Sequence, residues 1–251
     1  MCNNKNIFLF LIALLISNAM DAADQLARQG KLVRYGEMHV AIGQQQHQGR
    51  VSLRELSQRQ HFYAVGALAG LNGEVTILDS HVVITGVGEK GQSVPLQVTA
   101  NSQATLLVGA EVAACTKHPV DTDVSPTGFD KAIETAAVQA GLDVNQPFMF
   151  MIEGEFQNVR LHVIHGACPV HARIHNVELP ADQRPCEREF DRIQGTVVGV
   201  YAKDAVGKLT HPATSTHAHL LYRDETTGEE LTGHLERVGV VKNALLKLPQ
   251  R

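Results

Sequence analysis

Tryptophan is absent from this chain, and aromatic residues amount to only 5% of its 251 positions. That leaves little with which to stack nucleic-acid bases or extended sugar polymers. No run of basic residues stands out and the formal net charge is -4, so the electrostatic footprint of a nucleic-acid partner is missing too. Cysteine is scarce: there are 4, none in a CxxC pair, which argues against thiolate-bound zinc. The apolar run Ile7 to Ile16 is shorter than the roughly 20 residues that span a bilayer, so stable membrane insertion is not expected. With Lys5 ahead of it and Ser17-Asn18-Ala19 behind it, the run reads as a signal peptide over residues 1–22. The mature protein is therefore expected to be exported, and its partner to be a small-molecule substrate.

The 44% of apolar residues in the chain are enough for a sizeable core. Export would leave Cys115, Cys168 and Cys186 in an oxidising compartment, which allows one disulfide and one spare thiol. Cys168 and Cys186 bracket a stretch carrying Pro169, Pro180 and Pro185 and are the favoured pair, with Cys115 free and buried.

Residues 32–35 and Met38 to Ile42 read as strands, and the glutamine-rich tract from Gly43 to Gly49 as a loop. Ser52 with Glu55 three positions on forms a capping box for a short helix. Apolar runs separated by Asn72-Gly73 and Asp79-Ser80 predict a β-meander, and Ala104 to Ala114 a further buried strand. Residues 115–127 read as a loop, followed by a helix from Gly128 to Ala140, capped by Thr127 and closed by Gly141. Phe148 to Phe156 and Val159 to Val163 read as a hairpin, and Gln194 to Tyr201 as the start of a β-rich C-terminal part. The irregular stretch Cys168 to Arg188 predicts a junction between an N-terminal lobe at 23–190 and a C-terminal part at 191–251.

The richest chemistry lies near the end. Strand alternation across residues 215–222 sends His217 and His219 to one face. The polar stretch Asp224 to Glu230 predicts a hairpin turn, and a turn centred on Thr226-Thr227 pairs His219 directly with His234. Three imidazoles would then converge, which suits zinc (Zn2+) with a coordination position left open. A slip of one residue in register would turn His234 away.

Several patterns taken in order resemble the alpha-acetolactate decarboxylase family: Val65-Gly66-Ala67-Leu68 leading to Leu71-Asn72-Gly73-Glu74, then Gly154-Glu155-Phe156, Gly195-Thr196-Val197-Val198-Gly199, and His217-Ala218-His219 with Gly233-His234. The resemblance implies an α+β fold of two lobes, a mixed β-sheet lobe with helices and a smaller β-barrel-like lobe carrying the metal. It implies zinc held by His217, His219 and His234, and places Glu74 at the active site. The family arginine that grips the substrate carboxylate falls near His162, with Arg160 two residues before it on the same face, so both are candidates for that task. The family also returns an acidic residue from its C-terminal segment, whereas nothing after Glu236 is acidic here.

The leading expectation is a zinc-dependent lyase that decarboxylates acetolactate, a 2-hydroxy-3-oxo acid, to acetoin. A zinc isomerase or hydrolase of the same fold stands as an alternative, and so does a non-enzymatic module that binds metal or ligand through the histidine cluster. A homodimer is an open expectation for its assembly.

Overall fold

The computed structural model describes residues 30–212 and 214–250, so the signal peptide expected over residues 1–22 lies outside the described residues. Two antiparallel sheets make up the body. The first contains β1 (Val33–Tyr35), β2 (Val51–Ser52), β3 (Phe62–Leu68), β4 (Glu74–Leu78), β5 (His81–Val87), β6 (Ser93–Leu96) and β7 (Gln103–Glu111) in the order β1-β7-β3-β4-β5-β6, with β2 also on β7. The second contains β8 (Cys115–Pro119), β9 (Phe148–Val163), β10 (Cys186–Tyr201), β11 (Thr216–Arg223), β12 (Glu230–Val240) and β13 (Leu245–Pro249) in the order β10-β11-β12-β9-β13-β8. Helices are few among the described residues: α1 (Leu53–Leu56), α2 (Phe129–Gln139), α3 (Pro169–Ile174) and short single turns.

Local chemistry explains the best-anticipated elements. The Ser52 hydroxyl accepts the Glu55 N–H at 3.4 Å and caps α1. Leu78 pairs with His81 across a two-residue turn in which Asp79 and Ser80 both take positive φ, the backbone twist that suits a tight hairpin. Over residues 148–152 of β9 the alternation is strict. Met149 and Met151 pack with Val65, Val108, Val198 and Val200 between the sheets, while Phe148, Phe150 and Ile152 pack with Phe129 and Ile133 beneath α2. A third cluster on the far face of the first sheet joins Leu53 and Leu56 of α1 to Phe62 and Ile77.

Several expectations are corrected. The sheets are antiparallel rather than mixed, because the strand pairings within each run antiparallel. The second sheet curls until β10 pairs with β9, yet β13 and β8 extend past that contact to a free edge, so the lobe is not a closed barrel. The expected junction at 190 falls inside β10, whose two halves both pair with β9; the change of sheet comes between β7 and β8. Residues 148–163 form one strand rather than a hairpin, since Asn158 takes positive φ without reversing the chain.

Met38 to Ile42 is not a strand. His39–Gly43 is a helical turn, and the His39 N–H is taken by the Gly207 carbonyl at 2.8 Å. The expected loop at 115–127 contains edge strand β8, paired with β13. Thr127 does not cap α2, whose N-cap is Gly128 with no side-chain bond. Cys168 and Cys186 are free thiols, one opening α3 and the other at the start of β10 beside the Ser93 hydroxyl at 3.2 Å. Cys115 is also free but half-buried rather than buried.

Candidate active site and metal centre

The β11–β12 hairpin has the expected register, with His219 opposite His234. His217 lies two residues before His219 on the same face, and the ligand nitrogens of His217, His219 and His234 lie within 4.8 Å of one another. All three side chains are buried. The second sheet then adds a fourth imidazole that strand spacing alone could not supply. β12 pairs with β9 so that His234 faces His162, with ring centroids 4.9 Å apart.

The first sheet closes the site from the other side. Glu74 enters from the start of β4 and is buried; its carboxylate lies 3.6 Å from His219 Nε2 and 3.9 Å from His162 Nε2. One oxygen accepts the Ile164 N–H at 3.2 Å. Gly73 sets this approach, because its φ of +146° is open to glycine and a Cβ there would lie 2.4 Å from the Thr85 carbonyl oxygen. Thr76, two residues beyond Glu74 on the same face, meets His219 Nδ1 at 3.1 Å and the Thr232 hydroxyl at 2.7 Å. The Thr85 hydroxyl accepts the Thr232 N–H at 2.8 Å, so hydroxyls bridge the two sheets directly behind the ligand cluster.

Burial sets the protonation states. Desolvation pushes Glu74 up to about 8, opposed only by the Ile164 N–H, so the carboxyl is held protonated near neutral pH. The same cause takes His217 down to about 3, with His211 beside it adding to the effect, and holds His219 and His234 well below the usual imidazole value. His211, whose ring lies 5.0 Å from that of His234, is lowered to about 4, chiefly by burial. Neutral imidazole is the form that ligates a metal.

The donor set fits a divalent ion on two further grounds. His219 Nε2 is buried without a hydrogen-bond partner, while its other nitrogen is held by Thr76, an arrangement that aims one lone pair into the cluster. The chemistry of three neutral imidazoles matches zinc's preference for nitrogen donors.

The inner cavity beside the cluster holds about 30 Å³ and is walled by Met38, Ile42, Leu106 and Ile164, with Glu74, His162, His211, His217 and His234 facing it. No lysine or arginine lines it. The structure thus brings Glu74, His162, His217, His219 and His234 together but not Arg160. That guanidinium turns to the carboxylates of Glu187 at 3.1 Å and Glu236 at 3.4 Å.

Thr76 was missed by sequence reasoning, although its position two residues after Glu74 put it on the same strand face. Thr210, adjacent to His211, bonds to no ligand imidazole; its buried hydroxyl has no partner.

A larger space of about 480 Å³ opens outside, sharing His211 and His234 with the inner cavity and edged by Arg173, Thr216 and Glu236.

The sequence profile of the family described as alpha-acetolactate decarboxylase matches residues 35–248. Among solved structures, alpha-acetolactate decarboxylase from Bacillus subtilis strain 168 superposes with a TM-score of 0.64 at 17% identity, covering 88% of this chain and 85% of that one. Acetolactate decarboxylase from Bacillus subtilis subspecies spizizenii gives a TM-score of 0.65 at 17% identity, covering 88% and 86%. A Staphylococcus aureus protein described as similar to alpha-acetolactate decarboxylase gives 0.64 at 15% identity, covering 88% and 85%. At these identities the superpositions speak for the fold. No curated protein sequence matches the chain. With a profile match that runs through both sheets, from β1 to β13, the chain belongs to the alpha-acetolactate decarboxylase family.

Proposed function

We propose that this protein is an exported, zinc-dependent carboxy-lyase that converts acetolactate to acetoin and CO2, or a related 2-hydroxy-3-oxo acid to its own hydroxyketone and CO2. His217, His219 and His234 would hold the ion. When bound, zinc supplies Lewis-acid stabilisation of negative charge on neighbouring substrate oxygens.

The observation that carries the reading is the placement of Glu74. Loss of CO2 leaves a carbon that must receive one proton, and Glu74 presents a buried carboxyl beside the inner cavity, 3.6 Å from a ligand imidazole. The Ile164 N–H fixes one oxygen and leaves the other free to deliver. Met38, Ile42, Leu106 and Ile164 give the cavity beside Glu74 an apolar wall.

The test is acetoin formation from racemic acetolactate. Purified zinc-loaded protein should outpace spontaneous decay, lose its advantage on chelation, and lose it in Glu74→Gln. Equal rates with and without protein would remove the decarboxylase reading.

The absence of a cationic side chain from the inner cavity favours a second reading, an isomerase or hydrolase of the same fold acting on a substrate without a carboxylate. Turnover of an uncharged hydroxyketone or ester, with none of acetolactate, would establish it.

A further inference from the structure

His162 and Glu236 form a pair whose geometry goes beyond the metal cluster. β12 carries a bulge: Leu235 pairs with Leu161 and Arg237 with Arg160, which leaves Glu236 as the extra residue between them. A bulge of this kind re-aims a side chain. Here one Glu236 oxygen meets His162 Nδ1 at 2.7 Å, from a carboxylate only 14% exposed. Glu236 is itself held in place. Arg173 of α3 donates to it, Arg160 approaches at 3.4 Å, and both guanidiniums also engage Glu187, at 2.9 Å and 3.1 Å. Arg173, Glu236, Arg160 and Glu187 thus close a ring of alternating charge around one oxygen that faces inward.

A carboxylate has no proton to give, so His162 Nδ1 is the donor in this bond. In neutral imidazole the other nitrogen then carries the lone pair. That nitrogen, Nε2, lies 3.9 Å from Glu74 beside the inner cavity, too far for a direct hydrogen bond and close enough for one hydroxyl, set to the side, to reach both.

From this we infer that Glu236 is a positioning residue: clamped by Arg173 and Arg160, it fixes the His162 tautomer so that Nε2 accepts a hydrogen bond from the substrate hydroxyl. The inference rests on the decarboxylase reading for its substrate. It also accounts for Arg160, which serves the site from outside by holding Glu236 rather than by touching the substrate's carboxylate.

The test uses the full zinc-loaded protein labelled with 15N at histidine. The His162 resonance is identified by its loss in His162→Gln, and the tautomer is read from nitrogen–proton correlations. The native protein should show the proton on Nδ1. Glu236→Gln, whose amide oxygen can still accept, should keep it there, whereas Glu236→Leu should move it toward Nε2.

A native His162 protonated on Nε2 alone, or a tautomer unchanged in Glu236→Leu, would overturn the positioning role, whatever reaction the enzyme performs. With acetolactate, the rate at saturating substrate should fall about tenfold or more in Glu236→Leu and be partly restored in Glu236→Gln. A shifted tautomer with an unchanged rate would overturn the hydroxyl contact while leaving the decarboxylase reading intact. Should Glu236→Leu fail to fold, the native and Glu236→Gln spectra still decide the positioning role.

Discussion

Glu74→Gln in the metal-free protein gives a stability measurement whose sign and size follow from burial alone. In the folded state the Glu74 carboxyl is raised from 4.5 to about 8, so the folded protein keeps a proton that the unfolded chain releases. A group shifted upward contributes stability that is fully present below its unfolded value and is lost as pH rises through its folded value. Each pH unit in that window costs about 1.4 kcal/mol.

His217, His219 and His234 act with the opposite sign. Their folded values, like those of His171 and His211, lie below 6.5, so their contribution is lost as pH falls through about 6.5 and is common to wild type and Glu74→Gln. The Cys115 and Cys168 thiols, both raised by burial, enter only near the ordinary thiol value of 9.0. The difference between wild type and Glu74→Gln over roughly pH 6.5 to 8 therefore isolates Glu74. Across that window the chelated wild-type protein should lose about 2 kcal/mol relative to the variant, which at this size corresponds to a relative fall in Tm of about 4–8 °C.

Glu74→Gln carries no titratable proton at this position and lacks that loss, so its Tm should rise relative to wild type as pH increases. Circular dichroism at matched ionic strength, in excess chelator, is a suitable assay because the chain has no tryptophan. Parallel slopes for the two proteins would refute the claim that burial holds the Glu74 proton.

Two further outcomes follow from the surroundings of the site. Thr76→Val removes the hydroxyl that holds His219 Nδ1 and should weaken zinc binding about 10–100-fold, read by competition with a chromophoric chelator. Unchanged affinity would show that Thr76 does not orient the ligand. Gly73→Ala places a Cβ 2.4 Å from the Thr85 carbonyl oxygen at a φ of +146°, and should cost about 1–3 kcal/mol in urea unfolding; a wild-type midpoint would contradict that strain.

Much of the metal cluster was legible because its causes are local. His217 and His219 share a face by strand alternation, and a single polar turn sets the register that brings in His234. Glu74 was marked by resemblance rather than by pattern. His162 was placed there for another task, as the stand-in for an arginine, and its contact with His234 depends on β9 lying beside β12, a pairing between strands 67 residues apart at Glu230 and Val163. That neighbour could not be read while residues 148–163 looked like a self-contained hairpin. The favoured disulfide failed for a related reason: proximity in sequence to shared prolines does not fix where two thiols point once α3 and β10 have packed.

The sequence by itself determined which side chains alternate to one face, where the hairpins of the meander and the histidine segment turn, and hence the three-imidazole cluster. Tertiary structure alone decided that Glu74 loses its solvent and keeps its proton, that Arg160 and Arg173 close on Glu236 instead of on a ligand, and that His162 completes the row. Local rules fix period and turn, because those depend on neighbouring backbone. Desolvation and cross-sheet contact depend on which two faces meet, and the chain settles that only when the first sheet packs against the second.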